Sequence, residues 1–354
     1  MSLTRLGANE VIPRLADFDT LIDARSEDEF HEDHLPGAVN WPTLNNAERV
    51  AIGTLYKQVN PFEARKRGAA IAARSIAAHI EREVIDKPKG WKPLVYCWRG
   101  GQRSGALALI LGQIGFRVSV LEGGYKAFRA AIVQDIAGLV PRLRFQVVCG
   151  PTGSGKTRLL QALAALGAQV LDLEALACHR SSVLGAFPGL AQPSQKRFDT
   201  LIWDALCHFD PLRPVFIESE SKKVGDVSVP TELVQAMHQS PCLNLQLPDS
   251  ERVLLLMEDY DDLVRDVAYF CDRLSVLTAL RGRAVVEGWQ TQARCGQLAS
   301  VVLDLLHRHY DPTYLQSMQR NFVHFKHSKN MALDDRSKKS MAGLAREIVD
   351  TTTT

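Results

Sequence analysis

The chain has 354 residues, 46% hydrophobic and 23% charged, which is too apolar for a disordered chain and longer than one ordinary core usually holds. Its 42 basic and 40 acidic residues leave a net charge of +2, so no global field selects nucleic acid and any such contact must come from local patches. Seven scattered cysteines, an odd number with no Cys-x-x-Cys pair, argue against a disulfide framework or a zinc site and for reduced thiols.

The opening stretch MSLTRLGANEVIPRL carries charge and no continuous apolar run, so it does not read as a signal peptide, and no later run has the length of a membrane span. A cytoplasmic protein is expected. From residue 20 short strands and helices alternate. TLIDAR (20–25) reads as a buried strand, GAVNWP follows a turn, and FEARKRGAAIAARSIAAHIEREV (62–84) has the apolar spacing of a long helix. KPLVYC reads as a strand ending at Cys97, SGALALILGQIG as a helix stopped by a glycine, and FRVSVLEGGYKAFRAAIVQ as a strand, a Gly-Gly turn and a helix. Such alternation implies a parallel sheet covered by helices on both faces.

A boundary is expected at GLVPRL (138–143), where proline and glycine separate one helix from a new strand, RFQVVC. The pattern then restarts with a glycine-rich loop, a helix and the strands AQVLDLE, RPVFIES and CLNLQLP. Beyond about residue 249 the apolar spacing turns helical, in ERVLLLMEDY, LVRDVAYFCDRLSVL and GQLASVVLDLLHRHY, and the closing DTTTT is expected to fray. The expected architecture is α/β throughout: a parallel-sheet domain over 1–137, a phosphate-loop α/β domain over 138–250, and a helical C-terminal region over 251–354 packed on the second domain.

Two loops carry chemistry. In YCWRGGQRSG, Cys97 sits at the carboxyl end of a strand and ahead of a helix, where backbone N–H groups and the helix dipole favour a thiolate. Arg99 and Arg103, with Gly100 and Gly101, make a socket for an oxyanion whose reacting atom lies near the sulfur. GPTGSGKT (150–157) matches Gly-x-x-x-x-Gly-Lys-Thr in full, after an apolar strand and before a helix. Here Gly150, Gly153, Ser154 and Gly155 shape a phosphate cradle, Lys156 reaches the terminal phosphates and Thr157 is placed to hold a magnesium ion. Whether the ligand is a nucleotide or another diphosphate is left open by the loop itself. Its acid partner is Glu218 or Glu220 in VFIESES, with Asp172 and Glu174 in LDLE as rivals. CHRSS (178–182) is either a solvated turn or a segment near the phosphate or an RNA backbone. Four basic clusters, at 65–67, 222–223, Arg281 with Arg283, and RSKK from Arg336, would matter for RNA only if they converged.

The cysteine loop, together with LIDARSEDEFHEDHLPGAVN and LEGGYKAFR, resembles rhodanese-like domains over about residues 15–130. Many rhodaneses place four residues between cysteine and arginine. This loop has five, Trp98 to Gln102, the spacing of cysteine-dependent phosphatases and arsenate reductases, which suits a phosphate-sized anion. A rhodanese-like domain ahead of a phosphate-loop domain, with YCWRGGQRS, ERVAIGTLYKQVNPFEARKRGA, CGPTGSGKT, LDLEALACHR and QPSQKRF, resembles the tRNA 2-selenouridine synthases over nearly the whole chain. The resemblance implies a transferase that exchanges the sulfur of wobble 2-thiouridine in tRNA for selenium from selenophosphate, by way of an S-geranyl intermediate made from geranyl diphosphate. It implies selenophosphate at Cys97, geranyl diphosphate at the phosphate loop, no tightly bound cofactor, and a selenophosphate-supplying enzyme as a partner. The alternatives are an ATP- or GTP-dependent tRNA sulfurtransferase or small-molecule kinase with a persulfide-carrying domain, and a phosphatase or arsenate reductase under a nucleotide-binding module.

Overall fold

The computed structural model describes residues 3–352 except 183, 184, 186 and 188. The chain divides into two compact units. One comprises the chain up to Asp135 together with Ser194–Asp204, and the other comprises Ile136–Pro193 and the chain from Ala205 onward.

Twelve strands occur among the described residues: β1 (Thr4–Leu6), β2 (Thr20–Asp23), β3 (Val39–Asn40), β4 (Pro93–Tyr96), β5 (Ser119–Leu121), β6 (Arg144–Cys149), β7 (Gln169–Leu171), β8 (Pro214–Glu218), β9 (Lys223–Val224), β10 (Val227–Ser228), β11 (Cys242–Gln246) and β12 (Lys329–Ala332). In the first unit they form a parallel sheet of order β1-β5-β4-β2-β3. Residue 22 pairs with 39 on one side and 95 on the other, so β2 and β4 run side by side through the centre. Ile22, Val95 and Val120 from these strands pack with Leu107 and Leu111 of the helix Gln102–Ile114 and with Trp41 and Trp91. The long helix Pro61–Glu83 begins where the sequence signals it. Proline occupies the first turn, and the Asn60 side chain accepts from the amides of Phe62 and Glu63 at 2.7 and 3.4 Å.

Under this sheet lies a buried polar knot. Arg25 and Asp23 are both fully buried and paired, with guanidinium-to-carboxylate distances of 2.6 to 3.0 Å. Arg25 also donates to the Asp33 carbonyl at 2.6 Å, and its guanidinium carbon lies 4.0 Å from the Tyr125 ring centre and 5.8 Å from that of Tyr96. The Asp33 carboxylate accepts from the hydroxyls of Tyr125, at 2.7 Å, and Thr200, at 2.9 Å. Thr200 belongs to the helix Gln195–Cys207, which the sequence reading placed with the phosphate-loop domain. Ser194–Asp204 instead clusters with the first unit, where Arg129 pairs with Asp199 and Trp203 packs edge-on to Phe128.

The second unit has its own five-stranded parallel sheet, ordered β12-β11-β6-β8-β7, with β6 at its centre and β9 and β10 as a small antiparallel pair apart from it. Val148, Phe216 and Leu245 pack with Leu159, Leu160 and Leu163 of the helix Lys156–Ala165, and with Met341, Leu344 and Ile348 of the helix Lys338–Thr352. That last helix runs through Thr352, so the fraying expected of DTTTT does not extend to it, and residues 353 and 354 lie outside the described residues. The region after residue 249 is helical as read, with one exception. KNMA forms β12, which pairs in parallel with β11 at the sheet edge. Four residues with two exposed polar side chains give no apolar alternation, so β12 is held by its neighbour's backbone rather than by its own pattern. A separate apolar cluster, centred on Phe270, Leu274, Trp289, Val301 and Leu305, joins the helices between residues 267 and 305.

Breaking a buried ion pair strands an uncompensated charge at a cost of about 3–5 kcal/mol. Arg25→Ala is expected to destabilise the chain by about that amount in urea denaturation, and Asp23→Leu combined with Arg25→Met should recover most of the loss. A loss below about 1 kcal/mol for Arg25→Ala would show that the knot is not structural.

Candidate functional site

Each chemical loop leaves the carboxyl end of a central strand, where ligands bind in open parallel sheets. β4 ends at Tyr96 and delivers Cys97, which is 3% exposed. The cysteine carbonyl accepts from the Tyr125 amide at 2.8 Å, and the Trp98 carbonyl accepts from the Lys126 amide at 3.1 Å, so the loop is stitched to the start of the helix Gly124–Leu139. The fully buried Ser104 hydroxyl donates to the cysteine sulfur at 3.1 Å. The same hydroxyl also lies 3.3 Å from the Gly101 carbonyl, so it ties the loop's sulfur to its turn. Gly100 makes the turn with φ of +64°, and a Cβ there would lie 2.6 Å from the Leu121 carbonyl. No other residue fits that place without moving β5.

The two loop arginines differ. Arg99 and Gly101 are exposed. Arg103 is only partly exposed and grips Glu29 with two bonds, of 2.5 and 3.2 Å. Burial alone would push the Glu29 carboxyl up, but Arg103, helped by the Ser26 amide and Arg49, holds it below the usual carboxylate range. Arg103 therefore offers an incoming anion the N–H groups that Glu29 leaves over, and its full fork only in exchange for Glu29. Glu29 escaped the sequence reading because its helix-capping role, receiving the Ser26 amide at 3.2 Å, accounts for it locally. Ser104 stood inside the quoted motif.

β6 ends at Cys149 and delivers the second loop. Lys156 opens the helix, and its ammonium donates back to the Gly150 carbonyl at 2.9 Å. The Gly150 amide donates to the Tyr314 hydroxyl at 2.6 Å. Ser154 is fully buried, and its hydroxyl finds no partner among the described residues. Gly153, with φ of +77°, lies where a Cβ would come 2.9 Å from Leu256. Behind the loop, Arg252 donates twice to the Thr152 carbonyl, at 3.0 and 2.8 Å, and twice to Asp311, at 3.0 and 2.6 Å. Tyr314 and Arg252 stand 164 and 100 residues from the atoms they bind, so no local signal announces them.

The acids sort themselves. Asp172 caps the helix Leu173–Ala177, accepting from the Ala175 amide at 2.8 Å. Glu174, Glu218 and Glu220 converge, one oxygen from each lying within 4.8 Å of the others. Thr157 donates to Glu174 at 3.2 Å, and the Glu174 amide donates to one Glu218 oxygen at 2.9 Å. The other Glu218 oxygen is buried with no partner among the described residues. Ser181 of CHRSS donates to Glu220, while the Arg180 guanidinium lies over the Phe187 and Tyr260 rings at 4.3 and 4.4 Å. Burial, followed by the Glu220 charge, pushes Glu174 up to about 8 against the partial relief of Lys156 and Thr157. Burial and its acidic neighbours raise Glu218 well above its ordinary range, and burial raises Glu220. Three carboxyl groups offering hard oxygen donors within 4.8 Å of one another, one oxygen of Glu218 orphaned, fit a divalent cation such as magnesium. Of the basic clusters, Lys66, Arg283 and Arg336 pair with Glu63, Glu287, and Glu251 with Glu258.

The family model described as rhodanese-like domain matches residues 7–131, and the model described as tRNA 2-selenouridine synthase AAA domain matches residues 143–276. A tRNA 2-selenouridine synthase of Bdellovibrio bacteriovorus is 31% identical over 353 residues, covering 86% of this chain and 90% of its own. The chain belongs to the tRNA 2-selenouridine synthase family. The tRNA 2-selenouridine synthase of Nitrosomonas europaea is 35% identical over 247 residues, which are 68% of this chain and 63% of that one. Among solved structures, a rhodanese-related protein of Thermoplasma volcanium matches at 16% identity with a TM-score of 0.25, covering 36% of this chain and 92% of its own. In this family member no helix among the described residues is long and apolar enough to cross a membrane.

A folded carboxyl with a raised pKa contributes stability that is complete below its unfolded value and lost as pH rises through the folded one. For Glu174 that window runs from the ordinary 4.5 to about 8. Urea midpoints are expected to fall across it, and to fall less in Glu174→Gln. Equal slopes in the two proteins would remove the acid trio from the account.

Proposed function

We propose that this chain exchanges the sulfur of wobble 2-thiouridine in tRNA for selenium, using selenophosphate, through an S-geranyl-2-thiouridine formed from geranyl diphosphate. The observation that carries the reading is the pairing, in one chain of this family, of a thiol loop shaped for a tetrahedral anion with a phosphate loop fronting three carboxyls. In the first step the base sulfur attacks C1 of geranyl diphosphate, forming a C–S bond as the C–O bond breaks and diphosphate leaves with the electron pair, and the base gives up its N3 proton to solvent. Gly150, Gly153, Ser154, Gly155, Lys156 and Thr157 hold that leaving group, and Lys156 exchanges its own Gly150 carbonyl for a phosphate oxygen.

In the second step selenium attacks C2 of the base, the C–S bond breaks, and geranyl thiolate leaves and takes up a proton. The phosphoryl group of selenophosphate ends on water. Cys97, whose sulfur lies 3.1 Å from the Ser104 hydroxyl, attacks phosphorus, forming an S–P bond as the P–Se bond breaks and frees that selenide for the base, and water then cleaves the S–P bond. Arg99, Gly100 and Gly101 receive the oxyanion, and Arg103 joins them by releasing Glu29. Geranylation supports selenium entry because the alkylated sulfur leaves as a thiolate, whereas a thiocarbonyl sulfur would have to leave as sulfide. Magnesium, where bound, is held by Glu218 with Glu174, Glu220 and Thr157, and supplies positive charge to a diphosphate. The partners on this reading are tRNA, the two donors and the enzyme that supplies selenophosphate, with the cytoplasm as the compartment.

An anticodon stem-loop bearing wobble 2-thiouridine, incubated with the protein and each donor and read by nucleoside mass spectrometry, tests the assignment. Geranyl-thiouridine is expected with geranyl diphosphate alone and selenouridine with both donors. Cys97→Ala should block only selenium entry, whereas Lys156→Ala should slow geranylation about a hundred-fold or more. An unchanged base, with ATP or a generic phosphate ester consumed instead, would overturn the reading in favour of a nucleotide-driven or phosphatase activity.

A further inference from the structure

Beside the phosphate loop the second unit contains an apolar cavity that begins at Thr152 and Ser182. Leu256, Phe270, Val302, Leu305 and Tyr260 are among its lining residues. Several elements converge to build it. The helix Asp249–Asp259 supplies Leu256, the side chain against which Gly153 of the phosphate loop lies, so cavity wall and loop touch. The helices Val267–Leu274 and Leu298–Leu305 supply Phe270, Val302 and Leu305. After Leu305 the chain makes a π-helical turn, Leu306–Tyr310, whose ends, Leu306 and Tyr310, both line the cavity. Such turns are rare and recur at ligand sites. Arg252 locks the assembly through its paired bonds to the Thr152 carbonyl and Asp311.

A nucleoside would bring polar base edges here, each of which needs a partner once taken out of water. The lining offers few. The Ser182 and Tyr260 hydroxyls bond each other at 3.1 Å, and burial pushes the Tyr260 phenol up to about 12. A hydrocarbon chain needs no partner, and each methylene it buries is worth about four-fold in affinity. We infer that this cavity seats the hydrocarbon tail of a prenyl diphosphate whose head lies in the phosphate loop, and so selects the substrate by chain length and against nucleotides. The inference rests on the proposal that the loop binds a prenyl diphosphate. It adds Leu256, Phe270, Val302 and Leu305 as specificity-determining side chains.

Calorimetric titration of the full chain with inorganic, dimethylallyl and geranyl diphosphates and with ATP separates the inference from the reading beneath it. Geranyl diphosphate, five carbons longer, should bind on the order of a thousand-fold more tightly than dimethylallyl diphosphate, and that more tightly than inorganic diphosphate. Val302→Trp, filling the cavity, should erase the gain from the longer chain and leave inorganic diphosphate binding intact. Leu305→Ala, a second variant that does not overpack the core, should shift preference toward farnesyl diphosphate. Equal binding of the three diphosphates, all lost in Lys156→Ala, would overturn the tail site while leaving the diphosphate loop standing. Tight ATP binding with no measurable affinity for any of the three would overturn both.

Discussion

The reactive loop of the first unit depends on a guanidinium that never meets water. Arg25 is fully buried at the end of β2, neutralised by Asp23 and lying near the rings of Tyr96 and Tyr125. Those two tyrosines are the residues that place Cys97: Tyr96 precedes it in β4, and the Tyr125 amide holds its carbonyl. Desolvating such a pair costs several kcal/mol, most of it returned by the pair's own attraction and by the surrounding hydrogen bonds, so its contribution lies in uniqueness rather than net stability. One arrangement satisfies Asp23, Asp33 and both rings together. That arrangement fixes where the sulfur sits.

The second unit solves the same placement problem with opposite electrostatics. Its loop is clamped from behind by Arg252, whose charge is consumed by Asp249 and Asp311, while Glu174, Glu218 and Glu220 crowd together in front. Burial and mutual repulsion push all three carboxyls above their ordinary range, against the partial relief of Lys156.

Much of this was legible in the sequence because the informative signals are local. Strand, glycine-rich turn and helix around Cys97 and around Lys156 are contiguous, and the parallel character of both sheets follows from the alternation of strand and helix. What escaped reading is held by partners far along the chain. β12 has no pattern of its own and exists because β11 offers an edge. Tyr314 reaches Gly150, and Arg252 reaches Thr152, across more than ninety residues of intervening chain. Among the four acids singled out, sequence could not rank Asp172 below the rest, because a capping carboxylate and a ligand carboxylate look alike until their neighbours are placed. The spacing around Cys97 suggested two arginines for one anion. The fold gives one of them to Glu29 first.

The helix Gln195–Cys207 has a further consequence. Its first ten residues lie with the first unit, though the chain on either side of it lies with the second, so the polypeptide passes between units three times. Thr200 on that excursion completes the Asp33 carboxylate, and Ser194 and Lys196 bond the carbonyl and carboxylate of Glu32. The halves are therefore not interchangeable cassettes. A gene cut at a single codon would yield a first half with an open polar wound and a second half carrying a helix whose mate is gone.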